Sequence, residues 1–212
     1  MLEFFDEAPA SSRKHATSIC AIAGEEMGLA LLKHYFESEG NHVDIINNPC
    51  TTGKQKGYRL DGWILVIGDT KTLYQVEVKN WSAHAIGGKR LPIKPNVQEL
   101  ASYLIDRWDR KWVDGTFKDD KVGKVLTPMR PPISEYDFHL PLICFWEAIH
   151  PKGLMEPLFK IKVRDSSFLE IAVFSMSIYL RNLNNMGKRN LQLDMPITAK
   201  RLGWLDILFK RL

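Results

Sequence analysis

Cysteine is scarce in this 212-residue chain, and its spacing excludes two common ways of stabilising a fold. Cys20, Cys50 and Cys144 are odd in number, widely separated and without a Cys-x-x-Cys pair. Neither a disulfide framework nor a zinc cluster is therefore indicated, and a reducing compartment is expected.

Long apolar runs are missing from the sequence as well. A membrane-spanning helix needs about 20 consecutive apolar residues, and residues 1–15 lack the basic-then-apolar pattern of a secretory signal. We therefore expect a cytoplasmic protein with no membrane partner.

Charge of one sign does not dominate, because 29 Lys and Arg residues stand against 25 Asp and Glu residues, for a formal net charge of +4. This small excess permits a polyanionic partner without requiring one. The hydrophobic content of 45% and charged content of 25% are those of a soluble globular protein. The length fits a single domain over residues 1–212.

Hydrophobic periodicity predicts an α/β protein. The predicted core elements are a helix over Thr17–Glu39, a strand over His42–Asn48, hairpin strands over Leu60–Ile67 and Thr72–Val78, a helix from Val97 to about Val113, and a buried strand over His139–Ile149. The core thus spans about residues 17–149, with a long loop over residues 114–136. A C-terminal extension over residues 151–212 is expected to add a strand at Leu158–Arg164 and helices at Phe168–Leu183 and Ile197–Leu212, the last with Leu202, Leu205, Ile207 and Leu208 on its apolar side.

The hairpin between Arg59 and Trp81 carries the charged residues on which a functional interpretation depends. If Gly68, Asp69 and Thr70 form an odd-length turn, opposed residues have position numbers with a constant sum, which places Asp61 opposite Glu77. Side chains alternate along a strand, so Asp61, Glu77 and Lys79 then share one face. An even-length turn would put the two carboxylates on opposite faces.

Two explanations fit this alternation of charge. Charged residues on a strand usually face solvent, and a Glu-x-Lys tripeptide is expected about once by chance in a chain of this composition. However, Trp63, Leu65 and Leu73 occupy the same face. Buried charge is costly unless it is compensated or holds a metal, so we favour a metal site.

The first helix offers two candidate carboxylates, Glu25 and Glu26. Glu25 aligns with the apolar residues Ile22, Leu29 and Leu32 and is expected to project from the packing face toward the sheet. An exposed edge charge is the alternative. Gly24 would allow close approach of the helix to the sheet, so we assign the functional carboxylate to Glu25 and expect Glu26 to be dispensable for activity.

Basic residues cluster in the loops on either side of the hairpin. Lys54, Lys56 and Arg59 precede Asp61, whereas Lys89 and Arg90 follow the hairpin. Solvated flexible loops and phosphate-contacting loops explain these residues equally well. Gln98, in the first turn of the second predicted helix, is either an ordinary polar residue or one that reaches the site.

The order helix, strand, hairpin, helix, strand resembles the PD-(D/E)xK phosphodiesterase superfamily. The residues that carry the resemblance are Gly24-Glu25, Leu60-Asp61 and Glu77-Val78-Lys79, and the segments GEEMGLALL, VEVKNW and KPNVQELASYL are most similar to NERD and Mrr-type members. The resemblance implies a restriction-endonuclease-like core (αβββαβ), with a central mixed sheet flanked by helices. It covers residues 17–149 and does not extend past Pro151.

The resemblance also implies a function, namely metal-dependent hydrolysis of phosphodiester bonds in DNA, expected to be endonucleolytic. Asp61, Glu77 and the Val78 carbonyl would bind Mg²⁺ or Mn²⁺, and Glu25 would hold a second metal or a metal-bound water. Lys79 would orient or deprotonate the attacking water or stabilise transition-state charge.

Two other functions compete with this one. The chain could be a catalytically inactive nucleic-acid-binding module of the same fold, or an interaction protein in which Asp61, Glu77 and Lys79 form a surface ion network. The sequence does not decide between DNA and RNA, between endonuclease and exonuclease action, or whether the chain forms a homo-oligomer.

Overall fold

The computed structural model describes residues 13–46, 60–79, 123–150, 152, 154–163, 167–188 and 190–209, with side chains in the first helix described from residue 24 onward. The helices are α1 (Arg13–Ser38), α2 (Met176–Asn185) and α3 (Pro196–Phe209), with a 3₁₀ turn at Gly123–Leu126. The strands are β1 (His42–Ile46), β2 (Gly62–Ile67), β3 (Lys71–Lys79), β4 (Phe138–Phe145), β5 (Leu158–Lys162) and β6 (Glu170–Ser175). None of the described helices is long and apolar enough to cross a membrane.

A mixed six-stranded sheet in the order β1-β2-β3-β4-β6-β5 forms the centre of the fold. The first three strands are antiparallel neighbours, whereas β3, β4 and β6 run parallel to one another and β5 is antiparallel to β6. The two central strands are β3 and β4, and the nearly continuous apolar sequence of β4 is typical of a strand that is buried on both faces.

Two hydrophobic clusters lie on opposite faces of this sheet. On the helical face, α1 and α2 cover a cluster that includes Ile64, Val66, Tyr74, Val76 and Val78. On the opposite face, Trp63, Leu65 and Leu73 pack with the 3₁₀ turn. This division is the alternation expected from an odd-length turn at Gly68–Thr70, and it confirms the predicted assignment of these residues to two faces.

Glycine sets how closely α1 approaches the sheet. A Cβ atom built at Gly28 would lie 2.7 Å from Cγ1 of Val78, and one at Gly62 would lie 2.8 Å from Cδ1 of Leu29. Both distances are shorter than real carbon contacts, so each of these two contacts between α1 and the hairpin places a side chain directly against a glycine of the other element.

The structure confirms the first helix, the hairpin and the strand after the long loop, with small changes of boundary. Parts of the prediction lie outside the described residues, including the helix from Val97 to about Val113 and the end of the first strand at Asn47-Asn48. The C-terminal extension adds two strands rather than one, and both join the same sheet, β6 beside β4 and β5 at the edge beyond β6.

The predicted helix over Phe168–Leu183 is wrong in its first half. Residues Glu170–Ser175 form β6, and α2 begins only at Met176. Continuous apolar runs do not distinguish a buried strand from a buried helix by periodicity. Here Ile171 and Val173 are fully buried between β4 and β5, which favours the β-branched strand geometry.

The final helix is present, and two residues of its predicted apolar side are exposed. Leu202 is 54% exposed and Ile207 is 51% exposed, whereas Thr198 is buried. The side chains of Leu205 and Leu208 lie outside the part of the structure that is described. Lys200 and Arg201 are exposed, as expected.

Candidate functional site

The hairpin has the odd-length turn that was predicted. The pairs Gly62 with Val76 and Trp63 with Gln75 show the constant sum of position numbers that such a turn requires. Asp61 directly precedes β2 and lies outside this ladder, because its amide donates to the carbonyl of Val76, the residue that pairs with Gly62. The turn parity is therefore confirmed, and Asp61 lies beside the end of β3 without being paired with Glu77.

Glu77 and Lys79 form a buried ion pair at the end of β3. The Glu77 side chain is 1% exposed and the Lys79 side chain 17% exposed, and the Lys79 ammonium donates a hydrogen bond to Oε1 of Glu77. A carboxylate at this depth needs a compensating charge. Lys79 supplies that charge here.

The Asp61 carboxylate lies against the backbone of β3. Its Oδ2 accepts a hydrogen bond of 2.6 Å from the Val78 amide, and the Asp61 amide donates to the Val76 carbonyl over 3.1 Å. The N–H and C=O of one strand residue point to the same side, so the Val78 carbonyl also faces Asp61. One carboxylate and one backbone carbonyl thus lie together beside Glu77.

Cys144 reports the electrostatic influence of Asp61 on the neighbouring strand. Burial raises the pKa of the Cys144 thiol well above its ordinary value, and the negative charge of Asp61 raises this pKa further. Cys144 pairs with Val78 in the sheet. Burial is the larger cause, and the contribution of Asp61 indicates that its carboxylate lies near the paired residues Val78 and Cys144.

These groups lie at the carboxyl edge of the parallel strands. The strands β3, β4 and β6 end at Lys79, Phe145 and Ser175, and the Trp146 amide donates to the Lys79 carbonyl over 3.1 Å. Ligand sites in open α/β sheets form beyond the carboxyl ends of strands. We call Asp61, Glu77, Lys79 and the Val78 carbonyl the carboxyl-edge cluster.

A second ion pair lies at the same edge, one strand away. Arg181 on α2 donates from Nη1 to Oε1 of Glu147 over 2.9 Å, and both side chains are partly exposed. Glu147 follows Trp146, so this pair stands next to the end of β3. Sequence reasoning did not select either residue, because they are far apart in the chain.

Glu25 lies at the level of this edge, but its side chain is not on the packing face of α1. Gly28 packs on Val78 and Phe36 stacks on Tyr74, so α1 runs antiparallel to β3. Three residues of helix extend about 4.5 Å, which places Glu25 beyond Val78 at the level of the carboxyl edge. However, α1 covers the face opposite Trp63 and the Glu25 side chain is exposed.

The expectation that Glu25 projects from the packing face is therefore wrong. The buried positions of α1 include Gly24, Met27, Gly28 and Leu31, and the two glycines add no hydropathy signal to the stripe. The close approach to the sheet is at Gly28 rather than at Gly24.

Glu26 has a structural partner. Its Oε1 accepts a hydrogen bond of 2.8 Å from the Ile197 amide, and its Oε2 accepts one of 2.6 Å from the Thr198 amide. These amides belong to the first turn of α3, where helix N–H groups lack intrahelical partners. Glu26 therefore caps α3 and fixes its N-terminus next to Glu25.

Gln75 is a buried polar residue that sequence reasoning missed. It lies two residues before Glu77 on the same face, and its Nε2 donates to the carbonyls of Val125 and, over 3.0 Å, Thr127. Its Oε1 accepts from the Met129 amide at 3.1 Å and lies 3.0 Å from Nε2 of His139. Gln75 thus holds the segment after the 3₁₀ turn against the face that carries Glu77.

His139 completes this network within an aromatic environment. Its ring lies 5.5 Å from Trp63, 5.9 Å from Tyr136 and 5.2 Å from Phe168, measured between centroids. Burial lowers the pKa of His139, which favours the neutral ring. The sequence signal for this network was the single polar residue Gln75 between the apolar residues Tyr74 and Val76.

Several predicted site residues fall outside the part of the chain that the structure describes. They are Lys54, Lys56, Arg59, Lys89, Arg90 and Gln98. Their proposed contacts with phosphate groups remain predictions.

Comparison with protein-family models, with curated proteins and with solved structures finds no match. The function is therefore argued from the carboxyl-edge cluster itself.

Asp61, Glu77 and the Val78 carbonyl do not form an all-protein metal cage. Over the described ranges, no three His, Cys, Asp or Glu side chains converge on a common point, so Glu25 does not join Asp61 and Glu77 in such a group. Mg²⁺ is usually held by one or two carboxylates, with water and substrate phosphate completing its shell. Asp61, Glu77 and the Val78 carbonyl supply oxygen ligands of that kind.

Proposed function

We propose that this protein is a metal-dependent phosphodiesterase that cleaves DNA in the manner of PD-(D/E)xK nucleases, and specifically an endonuclease. The observation that supports the proposal is that the Asp61 carboxylate accepts a hydrogen bond from the Val78 amide while Lys79 pairs with Glu77, on either side of Val78 at the end of β3. The mixed sheet flanked by helices is compatible with the restriction-endonuclease-like core that the resemblance implies.

In the proposed reaction, Asp61, Glu77 and the Val78 carbonyl hold Mg²⁺ or Mn²⁺. When bound, the metal supplies Lewis-acid activation of the scissile phosphate and lowers the pKa of water. The protein contributes fixed ligands, since the Val78 amide orients Asp61 and the β3 backbone fixes Glu77. Rigid ligands on strands hold a reactive geometry better than ligands on loops.

Lys79 supplies the positive charge of the proposed site. Its ammonium lies at the sheet edge with limited solvent access, where it can stabilise negative charge on the phosphoryl oxygens or orient the attacking water. Glu25 stands exposed at the same level, where it can hold a water or a second metal at the rim.

A cleavage assay tests the proposal. Supercoiled, linear and single-stranded DNA are incubated with the protein in Mg²⁺ or Mn²⁺ and with excess chelator. We expect nicked and linearised products that depend on the metal, and a loss of at least about 100-fold in rate for Lys79→Met. Glu135→Gln, an exposed carboxylate in the segment before β4, is the matched control and should cleave normally.

One observation favours the alternative that this chain is an interaction protein without nuclease activity. The Glu77–Lys79 ion pair compensates the buried carboxylate without any metal, as expected if the pair is only structural. A non-nuclease would give no metal-dependent product from any of the three DNA forms, and Lys79→Met would lower its melting temperature.

A further inference from the structure

The sequence from the start of α3 onward is basic. From Pro196 to Leu212 it contains Lys200, Arg201, Lys210 and Arg211 against the single acidic residue Asp206. Of the four basic residues, Lys200 and Arg201 lie on the described helix α3, where both are exposed. Adjacent exposed basic side chains are suited to a polyanionic partner.

An apolar and aromatic stripe accompanies this charge on α3. Ile197, Lys200, Trp204 and Ile207 are spaced by three, four and three residues, which places them along one side of the helix. Trp204 is 60% exposed and Ile197 is 55% exposed, and Nζ of Lys200 lies 5.2 Å from the Trp204 ring centroid. Exposed apolar side chains grouped in this way mark an interaction surface.

The stripe begins beside the candidate site. Glu26 accepts hydrogen bonds from the Ile197 and Thr198 amides, and Glu26 neighbours Glu25 at the level of the carboxyl edge. Ten residues of helix from Ile197 to Ile207 extend about 15 Å. The stripe on α3 therefore starts next to the end of α1 that carries Glu25.

We propose that this face of α3 binds single-stranded nucleic acid, with a base stacked on Trp204 and phosphates contacted by Lys200 and Arg201. The partner must offer both negative charge and flat apolar surface within a few ångströms. Unpaired nucleotides offer both, because every base has an aromatic face and every link a phosphate. An acidic protein would match the charge, but would leave the exposed indole without a stacking partner.

This inference rests on the proposed function for the identity of the partner, whereas its test needs no catalysis. Binding of a fluorescein-labelled oligothymidine is measured by anisotropy with the full chain in EDTA, alongside quenching of tryptophan fluorescence. We expect Trp204→Ala to weaken binding by about 10-fold or more. Lys200→Ala should lower the slope of log affinity against log salt by about 0.7.

Matched controls come from the other end of the sheet. Phe138 is 54% exposed at the amino end of β4, and Lys162 is exposed at the far end of β5, so Phe138→Ala and Lys162→Ala should bind like the wild type. Equal affinity for the wild type and Trp204→Ala overturns the inference. So does a sedimentation shift from dimer to monomer in Trp204→Ala with DNA binding unchanged, which would identify the stripe as a contact between two copies.

The failure of this inference is distinguishable from failure of the proposed function. Oligothymidine binding that depends on Trp204, with no cleavage in any metal, supports α3 as a binding surface and contradicts the nuclease. Metal-dependent cleavage, together with oligothymidine binding that Trp204→Ala and Lys200→Ala leave unchanged, contradicts only the role of α3.

Discussion

Adding one methyl group at Gly28 should separate α1 from the sheet at the point where the two meet most closely. The new Cβ would lie 2.7 Å from Cγ1 and 3.1 Å from Cγ2 of Val78. Val78 cannot rotate away easily, because its β-branched side chain is stiff and buried within the sheet. Overpacking of this kind costs about 1–3 kcal/mol.

The higher helix propensity of alanine opposes the steric cost of Gly28→Ala, so a control variant is needed that gains the same propensity without the clash. Replacing Gly by Ala inside a helix contributes about 1 kcal/mol of stability. Gly203 in α3 supplies the control, because a Cβ built there meets nothing within 4 Å. Gly203→Ala should therefore stabilise the protein, and the difference between the two variants isolates the steric cost at Val78.

Equilibrium urea denaturation measures this difference. We expect the free energy of unfolding of Gly28→Ala to lie about 1–3 kcal/mol below that of Gly203→Ala, and Val78→Ala in the Gly28→Ala background to recover part of it. Equal stability of the two glycine variants would refute the close packing of α1 on β3. The position assigned to Glu25 at the carboxyl edge would fall with it.

Three further results are expected. Gln75→Leu should lower the free energy of unfolding by at least about 2 kcal/mol, because it leaves the buried backbone groups that bond Gln75 without a hydrogen-bond partner. Unchanged hydrogen exchange at the Met129 amide would contradict this. Glu26→Ala should cost about 1 kcal/mol through loss of the α3 cap, whereas Glu25→Ala should change stability by less than about 0.5 kcal/mol. Burial lowers the pKa of His139, so the unfolded chain takes up this proton first and stability should fall as the pH drops below about 6.5. Urea titrations across pH should show a flatter profile for His139→Phe, and parallel profiles would contradict the assignment.

The sequence was sufficient for the hairpin because its geometry is local. Turn length fixes the register, and the register fixes which side chains of the two strands share a face. The Lys79–Glu77 pair follows from the same alternation. No contact with a distant segment was needed for these assignments.

Features that depend on distant segments were missed. The packing side of α1 is set by Gly28 against Val78, and glycine carries no hydropathy signal. The strand β6 was predicted as a helix because its burial between β4 and β5 is a tertiary property. The partners of Glu26 and Gln75 lie 171 and 50 residues away in the chain, beyond the reach of any local pattern.

Metal binding by the carboxyl-edge cluster tests the central proposal most directly. Calorimetric titration with Mn²⁺ is performed on the wild type, Glu77→Gln and Lys79→Met, each checked for folding by circular dichroism. We expect saturable binding in the wild type and in Lys79→Met, which keeps the oxygen ligands but cannot cleave DNA, and no binding in Glu77→Gln. Equal Mn²⁺ binding by folded wild type and Glu77→Gln would contradict the assignment of this cluster as the catalytic metal site.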